Sequence, residues 1–189
     1  MTRNLPNLLT ALRLALVPLI ALTVLYGHFR AALAVTLLAG ITDGLDGSLA
    51  RRYFWTSRLG AWLDPLADKA LLVTLFVVLG IVGAFPWWLV ALVLARDAVI
   101  LLMAGIAFAF TAIRDFPPSI WGKLSTIVQV GACVVALLMR SAAVNSPAMS
   151  LFVIAVTALA TAWSGIDYVR LGVLRWRREH LTKVAKARS

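Results

Sequence analysis

The chain predicts an all-α integral membrane protein of six transmembrane helices, with a cytoplasm-facing site inside the bundle. Of its 189 residues 62% are hydrophobic and 14% charged, and mean hydropathy is +0.93; soluble domains average about 45–50% apolar and 25% charged. Charges and prolines cut the chain into apolar runs of about the 20 residues a helix needs to cross a bilayer. Spans are expected at 8–27, 31–50, 59–83, 87–110, 120–139 and 148–171. Arg13 interrupts the first run and no small-residue cleavage site stands out, so it reads as a span and not as a cleaved signal. Pro86, Pro117, Pro118 and Pro147 fall in or beside connections, where a missing amide donor is harmless. With short connections and no polar linker, residues 1–175 are expected to form one membrane domain and 176–189 a basic cytoplasmic tail. Cys133, the single cysteine, has no partner for an intrachain disulfide and reads as a packing residue.

Alternate connections differ sharply in charge. Arg3, Arg51, Arg52, Arg58, Arg114, Lys123 and the basic tail fall on one side, Arg30 and Arg140 on the other. The positive-inside rule therefore puts both termini in the cytoplasm of a multi-pass protein, and a bacterial cell membrane is expected. The net charge of +10 is explained by topology and by contact with anionic headgroups. No soluble, aromatic-interleaved basic domain is present to bind nucleic acid.

Asp43, Asp46, Asp64 and Asp68 sit within apolar segments, where an ionised carboxylate at a helix centre costs at least ~2.5–3.5 kcal/mol. Asp43, Asp46, Gly47, Ala50 and Arg51 share one face of the second helix by spacing, and Gly60, Asp64 and Asp68 share one face of the third. A short turn between these helices brings the faces together. An all-oxygen cluster suits hard cations such as Mg²⁺ or Mn²⁺ and offers little to zinc. The small residues admit a flat base or a pyrophosphate to the helix backbone, or serve close helix packing. An ion transporter is the remote alternative, although transporters more often spread such groups along a pathway.

The stretch ITDGLDGSLARRYFWTSRLGAWLDPLADKA carries D-x2-D-G-x2-A-R-x8-G-x3-D-x3-D without a gap, and so resembles the signature of the CDP-alcohol phosphatidyltransferase family. The likeness extends to NLPNLLTALRLALVP and to WGKLSTIVQ. It implies a six-helix, often dimeric core that transfers a phosphatidyl group from CDP-diacylglycerol to an alcohol with release of CMP. On this sequence it implies that Asp43, Asp46, Asp64 and Asp68 hold two metal ions, with Asp68 also the general base. Gly47, Ala50, Arg51, Ser57 and Gly60 would surround the cytidine and pyrophosphate, aided by the segment from Asn7 to Thr10.

For the acceptor, NLPNLLT and DPLADK resemble both phosphatidylglycerophosphate synthases, which use glycerol 3-phosphate, and cardiolipin synthases, which use phosphatidylglycerol. The fourth span reads RDAVILLMAG, with Asp97 where the former usually carry glutamate and Ala104 where a second arginine falls. A soluble phosphomonoester needs such a cation more than a lipid does. Phosphatidylglycerol is therefore the favoured acceptor, glycerol 3-phosphate the alternative, and Arg13, Arg96 and Lys123 the acceptor-side candidates.

Overall fold

The computed structural model describes residues 5–53, 58–110 and 119–187, with side chains described at 14–42, 69–103, 105 and 119–172. Six α-helices follow in order, and among the described residues there is no strand: α1 (Leu5–Leu25), α2 (Phe29–Tyr53), α3 (Arg58–Ile81), α4 (Trp87–Phe110), α5 (Ile120–Ser141) and α6 (Pro147–Ala187). All six expected spans coincide with helices, and each helix has at least 21 residues. At about 1.5 Å per residue that is enough for a hydrocarbon core of ~30 Å. Two of them, Ile120–Ser141 and Pro147–Gly172, also pass as spans on the apolar character of their described residues alone. The described apolar stretches of α1, α2 and α3 are shorter: Leu14–Leu25, Phe29–Thr42 and Lys69–Ile81.

The helix ends follow local chemistry. Gly27 (φ +77°) and Gly83 (φ +69°) take the left-handed conformation in the turns after α1 and α3, where a side chain would be strained. Ser119 caps α5, its hydroxyl accepting from the Trp121 amide at 3.2 Å. At 41 residues, α6 is about twice the length needed to span a bilayer, and it runs unbroken past residue 175 into the basic segment.

The apolar core occupies the half of the bundle away from the aspartates. Ile20 and Val24 of α1, Leu75, Phe76 and Leu79 of α3, Leu89, Val90 and Val93 of α4 and Cys133 and Leu137 of α5 are all buried there. Phe76 stacks on Phe85 with ring centroids 5.2 Å apart. Helices α2 and α3 both pack on α1 and on α5, so the two aspartate-bearing helices share the same neighbours.

Beside this apolar core the helices bury polar residues and turn large apolar ones outward. Ser125, Gln129, Thr157, Thr161 and Ser164 are buried between helices, while Leu38, Ile41, Leu102, Ile127, Leu151, Phe152 and Leu159 lie exposed on the outside. The Gln129 amide donates to Thr161 Oγ1 at 2.9 Å, tying α5 to α6 in the manner of helices in lipid. Exposed tryptophans mark both ends of the apolar band. Trp87 and Trp88 open α4 at one end, and the edge-on pair Trp121–Trp163 (5.9 Å) lies toward the other.

Candidate active site

Asp43, Asp46, Gly47, Ala50 and Arg51 fall on the continuous helix α2, and Gly60, Asp64 and Asp68 on α3. The helical register on which their shared faces depend is therefore present in the backbone. Asn7, Thr10 and Arg13 fall on α1. The side chains of all these residues lie outside the described ones, as does Ser57 altogether. Ala104 is on α4, its side chain likewise not described.

Beginning one residue after Asp68, the described residues form a charged cluster that joins four helices. Lys69 Nζ of α3 lies 3.2 Å from Asp97 Oδ2 of α4, at an angle that leaves its N–H groups without a hydrogen-bond acceptor among the described residues. The other Asp97 oxygen accepts from Arg96 Nη1 at 2.7 Å. Arg96 Nη2 donates to Ser164 Oγ of α6 at 2.8 Å and to the Gly122 carbonyl of α5 at 3.2 Å, and its Nε approaches the same Ser164 oxygen at 3.3 Å. The guanidinium also lies 5.7 Å from the Tyr168 ring centroid. Arg96 is 9% exposed and Asp97 6%. Burying these charges is tolerable only because almost every donor and acceptor is matched.

Backbone size makes this cluster possible. The Tyr168 ring rests so closely on Gly122 that a Cβ there would come within 2.7 Å of it. The close approach exposes the Gly122 carbonyl to Arg96 and brings the Tyr168 hydroxyl within 3.3 Å of the Ser119 amide, which donates to it. The Ser119 hydroxyl donates to Asp167 Oδ2. The N-cap of α5 is thus fastened to α6 close to the charged cluster.

The acceptor candidates differ in setting. Arg96 is enclosed, with its donors taken up by Asp97, Ser164 and Gly122, whereas Lys123 is exposed at the start of α5. The sequence singles out Arg96 as an acceptor-side candidate but does not point to Lys69, Ser164 or Tyr168 as its companions. The signal for Lys69 was its place directly after Asp68 in DPLADK. Ser164 and Tyr168 are more than 65 residues from Arg96 in sequence, and no local pattern joins them to it.

The profile of the CDP-alcohol phosphatidyltransferases matches residues 3–164. The chain belongs to the CDP-alcohol phosphatidyltransferase family. Among its relatives is a probable phosphatidylglycerophosphate synthase of Mycobacterium tuberculosis, 38% identical over 175 residues, covering 88% of this chain and 80% of the relative. A putative cardiolipin synthase of Mycobacterium bovis is 43% identical over 101 residues, 53% of this chain and 47% of the relative. A probable CMP-forming cardiolipin synthase of Drosophila melanogaster is 33% identical over 187 residues, 98% of this chain and 56% of the relative. The protein is accordingly an enzyme of phospholipid synthesis, a phosphatidyltransferase that acts on CDP-diacylglycerol and a glycerol-type alcohol. Like CDP-alcohol phosphatidyltransferases generally, it belongs to a membrane-bound, divalent-metal-dependent class. The donor set fits that requirement: four carboxylates, all hard oxygen ligands, at helical spacing on α2 and α3.

Proposed function

We propose that this enzyme transfers the phosphatidyl group of CDP-diacylglycerol to phosphatidylglycerol, giving cardiolipin and CMP. The observation that carries phosphatidyl transfer is the gapless aspartate signature on two continuous helices, and the lipid acceptor is supported by Ala104, which stands where a second arginine would serve a soluble phosphomonoester. In this reading the protein spans the membrane six times with both termini cytoplasmic, in a bacterial cell membrane and as a homodimer. The segment after residue 175 is a basic tail on the cytoplasmic leaflet. Arg51, Arg52, Arg58, Arg114 and Lys123 flank the cytoplasmic helix ends, which supports this orientation.

Asp43, Asp46, Asp64 and Asp68 hold two Mg²⁺ or Mn²⁺ ions, which when bound neutralise pyrophosphate charge and orient the transferring phosphorus. Asn7, Thr10, Gly47, Ala50, Arg51, Ser57 and Gly60 receive the cytidine and pyrophosphate. Asp68 takes the proton of the acceptor hydroxyl as its oxygen bonds to the diacylglycerol-linked phosphorus. The bond from that phosphorus to the bridging oxygen breaks, and CMP leaves with the electron pair. Arg13, Arg96 and Lys123 stand on the acceptor side, Arg96 by exchanging Ser164 for an acceptor oxygen.

Asp68→Asn therefore leaves CDP-diacylglycerol binding largely intact and lowers turnover by at least roughly 10²-fold, the lower range for a lost general base. Binding measured beside single-turnover CMP release checks this. Parallel losses of both would make Asp68 chiefly a metal ligand.

One observation favours a second acceptor: the phosphatidylglycerophosphate synthase relative aligns over 88% of this chain. Glycerol 3-phosphate is thus the alternative. Purified protein given CDP-diacylglycerol with each acceptor, in one detergent and one metal, decides between them. Cardiolipin is the expected main product, and preferential formation of phosphatidylglycerophosphate overturns the acceptor assignment while leaving phosphatidyl transfer in place.

A further inference from the structure

At the end of the bundle opposite the aspartates, a cavity of about 990 Å³ opens among the ends of α3 and α5, the starts of α2, α4 and α6, and the turns between them. Its walls are largely apolar and include Phe29, Phe85, Trp87, Val153 and Ile154. A smaller cavity of about 430 Å³, lined by His28, Arg30 and Ser141, shares Phe29 and Arg140 with the first. The two cavities adjoin at Phe29 and Arg140, so that apolar side chains of the larger one lie next to the guanidinium groups of Arg30 and Arg140.

Those two arginines are the cations that the charge asymmetry of the chain leaves unexplained. Arg30 also lies in the first turn of α2, where the helix dipole disfavours a cation. Among the described residues no acid is placed to balance them. The chain's eight acidic residues are Asp43, Asp46, Asp64, Asp68, Asp97, Asp115, Asp167 and Glu179. Of these, Asp97 comes soonest after a helix start at this end, and it lies ten residues into α4, about 15 Å along the axis. It is already engaged by Arg96 and Lys69. Arg140 gives one Nη2 hydrogen bond to the Val82 carbonyl at 3.0 Å, which holds it at the shared wall with further donors to offer.

We propose that these adjoining cavities bind an anionic phospholipid from the leaflet opposite the catalytic aspartates. The phosphate lies against Arg30 and Arg140, and one acyl chain enters the cavity beside Phe85 and Val153. A lipid meets both halves of the site at once: it supplies the missing negative charge at headgroup depth and fills an apolar volume at the upper end of the range for small-molecule pockets. The site is separate from the reaction centre and does not depend on which acceptor the enzyme uses.

Phosphatidylserine is a suitable probe because it is anionic yet neither substrate nor product of the proposed reaction. Native mass spectrometry of the purified protein, titrated with phosphatidylserine or phosphatidylcholine, should show one phosphatidylserine retained per chain and little phosphatidylcholine. R30A/R140A should retain phosphatidylserine about 30-fold more weakly, the effect of removing two cations from a headgroup. V153W, which keeps both arginines and fills the larger cavity, should also lose it. CMP release should be unchanged in both variants, showing that each is folded. Equal retention of the two lipids by the wild type overturns the proposal without recourse to any variant. Undiminished retention by R30A/R140A removes the phosphate contact, and undiminished retention by V153W removes the acyl-chain site; either result overturns it as well.

Discussion

Asp43→Asn or Asp64→Asn abolishes CMP release from CDP-diacylglycerol, while the purified protein stays folded in detergent. Each substitution keeps the size of the side chain and removes a charge from an all-oxygen ligand set, so the loss falls on metal binding and not on packing. Metal catalysis of phosphoryl chemistry supplies several kcal/mol of transition-state charge stabilisation, and no other group on α2 or α3 replaces a missing carboxylate. The same loss is expected of the wild type in excess chelator, with recovery on adding Mg²⁺ or Mn²⁺. Substantial CMP release from either variant, or without free divalent metal, would remove the metal assignment. The transporter alternative fails with the appearance of any phospholipid product in the wild-type reaction.

Asp97→Asn has the largest expected effect on stability. Asp97 is buried and is the only acid among the described residues in contact with both Arg96 and Lys69. Removing its charge leaves the buried Arg96 and the part-exposed Lys69 without a counter-charge among the described residues, and breaking a buried pair costs about 3–5 kcal/mol. Arg96 keeps Ser164, the Gly122 carbonyl and the Tyr168 ring, so the lower end of that range is expected. Thermal unfolding in detergent measures it. R96M/D97N should recover much of the loss, because the guanidinium is then no longer left without its counter-charge. A single Asp97→Asn variant as stable as the wild type would show that solvent or lipid already screens these charges.

The secondary structure was legible because the bilayer imposes a simple rule. Backbone groups in lipid must be satisfied within the helix, so apolar runs of sufficient length become helices. The expected spans and the observed helices agree to within a few residues at most ends, and the main difference has a cause. The sixth span is expected at 148–171, and the basic tail continues its helix, as its composition allows, to Ala187. Hydropathy reports only where a helix leaves the apolar layer. RLGVLRWRREHLTKVAKA is rich in helix formers and has no glycine or proline after Gly172 to end it.

The class of chemistry is readable from residue type and spacing alone. Four aspartates at helical spacing in an apolar chain call for hard cations whatever surrounds them, because charge and ligand type are local properties. The resemblance to the family signature implies that the phosphatidyl donor binds at the same residues. Which distant groups meet is a matter of packing. Lys69, Asp97, Arg96, Gly122, Ser164 and Tyr168 come from four helices, and their assembly depends on a glycine small enough for a tyrosine ring to lie against it. Arg30 and Arg140 are 110 residues apart, and each alone looks like an exception to a charge rule. The fold sets them on the wall of one cavity, because the turn after α1 and the end of α5 reach the same end of the bundle. Helical periodicity reports which face of its own helix a residue occupies, but the neighbour across that face is chosen by packing.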